Sequence, residues 1–273
     1  MTDRQISRTA IVAILVATTA ALIGRSWLQV ELEQGEMPHL LATDLSYLIV
    51  PPILLLLLFP LWRTEPAFLK DLFRWQELRW PLVGRALLIG ILIRVAWWGQ
   101  LVAGVSFGIY SSSDPNAIVG PTIAFQCERP EIVILGFFVM AMLVPIIEET
   151  VHRGYVQTAL ESRGFITAVV VSSLVFVVFH RFSSWPSVFV TGLILGTQYW
   201  ITRSLWASLI THATVNAMIQ VDWRCLSLQW NPGVSDLPLL APGLAALSVF
   251  ILSLAALTAV LHKMATEASN SPR

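Results

Sequence analysis

Glu148 and Glu149 stand side by side in a stretch, Ile132 to Arg153, that otherwise reads as hydrocarbon-soluble. A carboxylate inside a membrane is costly unless it is paired, protonated or hydrated, so an intramembrane acid marks a functional site by default. Every other acidic residue falls in the termini or in segments predicted as loops. On a helix Glu149 and Arg153 are four apart and face each other in the Glu-before-Arg order that suits an ion pair. Glu148 points about 100° away from Glu149, because 3.6 residues make a turn. The two carboxylates are therefore expected to do different work.

Histidines on later apolar stretches supply the partners. Glu148 lies sixteen residues before Gly164 and His180 sixteen after it. In an antiparallel helical hairpin turning at Gly164, both sit about 24 Å from the turn and share a rung. His212 and Asn216, four apart, present an imidazole and a carboxamide on one face. Pro145 is expected to kink the helix or free a carbonyl beside the acids. Gly192 and Gly196 form a GxxxG that reads as close helix packing. Arg94 is a further charge in an apolar stretch; it lines the cavity, pairing with Glu149 or a substrate carboxylate, or it snorkels.

Such a cluster offers a base, imidazoles and hydrogen-bond donors, with no comparably placed Ser or Cys nucleophile. Water is then the nucleophile, polarised by Glu148 with His180 as general base, while His212 and Asn216 donate to the developing oxyanion. This chemistry calls for no cofactor. The rival chemistry is a zinc site built from Glu148, His152, His180 and His212, although no H-E-x-x-H motif is present and the ligands would come from three helices.

The elements that must position these groups are membrane helices. Of 273 residues, 56% are hydrophobic and only 12% charged, far from the roughly one-quarter charged composition of a soluble domain. Eight apolar runs approach or reach the length that crosses a bilayer: Thr9 to Gly24, Leu45 to Trp62, Leu82 to Val105, Ile132 to Arg153, Phe165 to Phe182, Pro186 to Ile201, Leu205 to Val221 and Leu239 to Leu261. No period-2 alternation suggests a membrane β-barrel. The predicted fold is an all-α polytopic bundle, about eight transmembrane helices in one domain-like unit. Within it, residues 1–131 hold three helices and a cytoplasmic segment, residues 132–221 a four-helix catalytic core, and residues 222–273 an outer loop and a last helix.

Arg4, Arg8, Arg63, Lys70, Arg74, Arg79, Arg85, Arg163, Arg203, Lys263 and Arg273 fall on one side of that topology, against Arg25, Arg129, Arg181 and Arg224 on the other. The positive-inside rule then puts both termini in the cytoplasm. The first apolar run reads as a span rather than a signal peptide, since no clean A-x-A site follows it. Arg63 to Arg85 reads as an amphipathic helix on the cytoplasmic surface, and Tyr110 to Arg129 and Asp222 to Pro238 as irregular outer loops. Cys127 and Cys225 fall in those loops, where an oxidising exterior permits a disulfide. A formal net charge of zero gives no electrostatic reason to expect nucleic acid.

At these residues the sequence resembles the CAAX protease and bacteriocin-processing family of intramembrane proteases, also called the Abi family. Glu148, Glu149 and Arg153, followed by Gly154 and Tyr155, are similar to its E-E-x-x-x-R motif; Phe176 and His180 to F-x-x-x-H; His212 and Asn216 to H-x-x-x-N. The resemblance covers roughly Ile132 to Val221. It implies an eight-helix bundle and metal-independent, glutamate-dependent peptide hydrolysis, with Glu148 and His180 activating water and His212 and Asn216 holding the oxyanion. It also implies a bacterial cytoplasmic membrane, and a membrane protein or lipidated peptide as substrate. Some proteins similar to this family are immunity factors or membrane scaffolds, so a non-catalytic role is the reading from another class. His152 departs from the family, which commonly has an aromatic residue there; it adds a second imidazole one turn from Glu148, or simply packs.

Overall fold

The computed structural model describes residues 8–64, 73–107, 109, 130–180, 182–220 and 243–270. All regular structure among them is helical. α1 (Arg8–Gln34) runs ten residues past the expected end at Gly24. The extension holds because its polar groups bond along one face: Arg25 to Gln29 at 2.5 Å, then Gln29 to Glu33 at 2.7 Å. α2 (His39–Tyr47) and α3 (Val50–Thr64) together make the second rod. α4 (Trp80–Ser106) follows. α5 (Pro130–Arg163) is one long rod of mixed helix types. α6 (Phe165–Val178), α7 (Trp185–Thr202), α8 (Leu205–Gln220) and α9 (Gly243–Asn270) complete the chain.

The rods correspond to the eight predicted runs. Five of them are individually long and apolar enough to cross a membrane, and α6 and most of α8 are shorter apolar helices. The shortfall has a cause. α6 and α8 are apolar but short, 14 and 16 residues, and with α7 they bury polar side chains, among them Ser172, Ser173, Gln198, Ser208 and Thr211, inside the bundle. Large apolar side chains instead cover the outside, as with Leu56 at 76% exposure. That inversion of a soluble protein's surface is what lipid requires.

Two apolar cores hold the bundle. Ile14, Ala17 and Ala21 of α1 meet Val50, Leu54 and Leu58 of α3 and Val151 and Tyr155 of α5. Ile89 and Ile93 of α4 meet Ile194, Val215, Leu257 and Met264 of α7, α8 and α9. Small residues let backbones close in, as membrane helices need. A Cβ at Gly99 would lie 2.8 Å from the Ala246 carbonyl, so α4 and α9 touch there. The second half of α5 lies between the two cores, and it carries both glutamates.

One end of the bundle gathers the basic residues. Arg85 at the start of α4 pairs with Glu267 near the end of α9 at 2.6 Å. Arg203, in a left-handed conformation (φ 56°) at the end of α7, pairs with Glu161 and lies over the Trp200 ring at 4.2 Å. Gly164, with φ 93°, makes the α5 to α6 turn at this end. Of the expected amphipathic segment, Phe73 and Trp75 pack on Trp206 of α8; residues 65–72 lie outside the described residues. So do Cys127, Cys225 and the whole of the two outer loops.

Candidate active site

α5 is not the uniform α-helix that its spacing predicts. Val139–Leu143 and Thr150–Gln157 are π-helical, on either side of an α-helical piece, Val144–Glu149. Such wide turns are rare and favour functional sites. In the first π turn the Val144 N–H bonds the Val139 carbonyl, a five-residue step. The next donor in that register is residue 145, and Pro145 has no N–H. The Met140 carbonyl is met instead by Nδ2 of Asn216 from α8, at 2.8 Å. The second π turn buries seven consecutive residues, Val151 to Gln157. It needs polar partners as a result: Gln157 donates to the Gly196 carbonyl at 2.8 Å, and Thr158 shares a hydrogen bond with the Tyr199 hydroxyl at 2.8 Å.

Glu149 and Arg153 are both 0% exposed, with Nε and Oε2 3.3 Å apart. A buried ion pair is tolerable only when its remaining valences are met. Arg153 also donates to the Gly192 carbonyl at 3.2 Å and lies over the Phe176 ring at 4.6 Å, while its Nη1 has no hydrogen-bond partner. The other oxygen of Glu149 holds Nδ1 of His212 at 2.9 Å. Nε2 of the same imidazole faces Oε2 of Glu148 at 3.6 Å. A carboxylate paired with arginine only accepts, so the network assigns the His212 proton to Nδ1 and leaves Nε2 toward Glu148. Glu148, 20% exposed, is the more accessible acid.

Phe176 is the centre around which the imidazoles gather. His152, His180 and His212 stand 5.1, 4.6 and 5.8 Å from its ring. His152 and His180 each turn Nδ1 onto their own helix, His152 to the Glu148 carbonyl at 2.8 Å and His180 to the Phe176 carbonyl at 2.9 Å. No ion pair or hydrogen bond joins Glu148 to His180, although a count of residues places them on one rung. That count assumes two regular α-helices throughout. π turns rise less per residue than α turns, and α6 ends at Val178, before His180. Among the described residues no three His, Cys, Asp or Glu side chains are grouped so as to hold a metal ion.

A cleft opens beside this cluster between α1, the α2 to α3 rod and α5. Leu22, Val50, Val144, Ile147, Val151 and Phe179 give it apolar walls, Thr18 and Tyr47 add hydroxyls, and Glu148 and His152 complete its polar lining. Arg94 is not among the residues lining this cleft, and Glu149 is instead met by Arg153 and His212. Asp44 escapes the sequence reading, which starts the second span at Leu45. It lies in α2 at 1% exposure, with Arg25 bonded to its neighbour Ser46 at 3.2 Å. A polar face repeating every four residues, Arg25, Gln29 and Glu33, is the signal that could have shown this end to be helical.

Residues 130–218 match the family model described as type II CAAX prenyl endopeptidase Rce1-like. No curated protein and no solved structure matches the chain. The match spans α5 to α8, the helices that carry Glu148, Glu149, Arg153, His180, His212 and Asn216. Residues 130–218, set in a multi-pass membrane bundle, are thus similar to the Rce1-like family over the helices that carry the polar cluster.

Proposed function

We propose that this chain is an intramembrane endopeptidase of the glutamate type, cleaving a peptide bond next to a membrane-embedded or lipidated segment. The observation that carries this reading is His212, held between the two carboxylates of α5. Glu149, fixed by Arg153, orients the imidazole as a third group orients the base of a catalytic triad. Glu148 is left accessible, on a cleft whose apolar walls suit a lipid chain or a hydrophobic peptide.

In the reaction, the oxygen of a water molecule bonds to the scissile carbonyl carbon while Glu148 takes one of its protons. His212 relays a proton from Glu148 to the departing nitrogen as the C–N bond breaks. The protonated ring, together with the second Nδ2 hydrogen of Asn216, donates to the oxyanion. His180 sits half-buried against Phe176, where it borders the same cluster. The basic end of the bundle, with Arg85, Arg163 and Arg203, is the cytoplasmic one by the positive-inside rule, which puts both termini in the cytoplasm.

Cleavage of a farnesylated peptide ending in Cys-aliphatic-aliphatic-X, followed by mass spectrometry, tests this with the full chain in lipid nanodiscs. The expected result is release of the last three residues, undiminished by a chelator. Activity lost to the chelator and restored by zinc would replace glutamate chemistry with metal chemistry.

A further inference from the structure

Thr18 is 5% exposed, and its hydroxyl has no hydrogen-bond partner. A helical threonine commonly bonds the carbonyl four residues back. Its neighbour Thr19 does so at 2.8 Å, and Thr150 and Thr214 do so at 2.6 and 2.7 Å. Thr18 makes no such bond, and it lines the cleft that Glu148 also lines. From α5, His152 brings a second orphan to the same cleft: it is 1% exposed, with Nε2 unpartnered. Its Nδ1 lies 2.8 Å from the Glu148 carbonyl, an oxygen that can only accept, so Nδ1 carries the proton and Nε2 is an acceptor. Buried polar atoms in native proteins are nearly always bonded, so two orphans in one cleft call for an occupant that bonds them.

Their chemistry limits what that occupant is. Nε2 needs a donor, and the hydroxyl can donate to a carbonyl. A peptide main chain offers both an N–H and a C=O at every residue, whereas an isoprenoid or acyl chain offers neither. A lipid chain in the cleft would seal both atoms off unbonded, at a cost for each. We infer that the cleft binds the peptide main chain of the substrate, with the Thr18 hydroxyl and Nε2 of His152 as its hydrogen-bonding groups. The inference rests on the endopeptidase reading above and narrows its substrate: the cleft takes the hydrophobic peptide, whose apolar side chains meet Leu22, Val50 and Val144, and an attached lipid lies outside it. Neither residue takes part in activating the water. Thr18 belongs to α1, beyond the residues 130–218 that match the family model, so part of substrate recognition comes from outside the helices that carry the chemistry.

Thr18→Val removes the hydroxyl at nearly constant shape, and Thr18→Ser keeps it. Binding of a dye-labelled farnesylated peptide to the full chain in nanodiscs gives Kd, cleavage of the same peptide gives kcat, and thermal unfolding reports on the fold. The occupant sets the sign of the change. Loss of a bond to the main chain weakens binding, whereas loss of an orphaned hydroxyl beneath a lipid chain strengthens it.

The expected result for Thr18→Val is a Kd about three- to tenfold higher with kcat within about twofold, and for Thr18→Ser a Kd within about twofold of wild type. Peptides with one amide at a time replaced by an ester, the scissile one excepted, identify the bonded units. One ester should weaken binding to wild type and add nothing in Thr18→Val. Another should lose its effect in His152→Asn, which keeps a donor for the Glu148 carbonyl and drops the distal acceptor. Unchanged or tighter binding in Thr18→Val, a serine variant as weak as the valine one, or ester effects that persist in both variants would overturn the assignment. Glu148→Gln keeps the two levels apart: it should bind the peptide as wild type does without cleaving it. If it cleaves as well as wild type, or if wild type cleaves nothing, the endopeptidase reading itself fails, while Kd still decides what the cleft binds.

Discussion

The carboxamide of Asn216 donates to the main-chain carbonyl of Met140, 2.8 Å away and 76 residues earlier in the chain. That carbonyl needs an outside donor because Pro145 occupies the position whose N–H would meet it in the π register. Asn216 therefore joins α8 to α5 two turns ahead of the glutamates, and in the proposed reaction it is a positioning group as well as a donor.

Removing the carboxamide has a cost that depends on the proline. Asn216→Ala should destabilise the bundle by about 0.5–2 kcal/mol, the span found for interhelical hydrogen bonds in membranes. Pro145→Ala restores a backbone donor, so Asn216→Ala should cost less in the Pro145→Ala background. A double-mutant cycle read by unfolding in mixed micelles measures this. Strict additivity would show that the two residues act independently.

The Glu149 to Arg153 pair separates stability from activity. Glu149→Gln leaves a buried guanidinium without its counter-charge and should cost about 3 kcal/mol or more. The combination Glu149→Gln with Arg153→Met removes both charges and should recover most of that stability. Activity should not return, because His212 loses the carboxylate that orients it. Unfolding midpoints and peptide turnover on the same preparations check both halves of the expectation.

Much of this site was legible in the sequence because four-residue spacing survives small distortions. Glu149 and Arg153, and His212 with Asn216, follow from that spacing and from the cost of charge in hydrocarbon. The hidden part has one physical source. Hydropathy reports which residues are buried but not whether a turn closes after four residues or five, so the π segments were invisible. With them went the bond from Asn216 to a backbone carbonyl. Asp44 was missed for a related reason: a polar helix end, bonded side chain to side chain, looks like a loop when only apolar runs are counted.

Two glycines of α4 should respond in opposite ways to the same methyl group. Gly99→Ala would set a Cβ 2.8 Å from the Ala246 carbonyl and 2.9 Å from the Phe250 nitrogen, forcing α9 outward. Overpacking of this kind costs about 1–3 kcal/mol. Nothing lies within 4 Å of a Cβ at Gly84, so Gly84→Ala should be neutral or stabilise by up to about 1 kcal/mol through helix propensity. Thermal unfolding of the two variants decides it, and equal midpoints would contradict the close approach of α4 and α9.

The central claim is that Glu148, not a metal and not Glu149, activates the water. The most direct measurement is the kcat of Glu148→Gln on the farnesylated peptide in nanodiscs, beside its unfolding midpoint. The account predicts a loss of at least about 100-fold with an unchanged midpoint; turnover within a few-fold of wild type would contradict it.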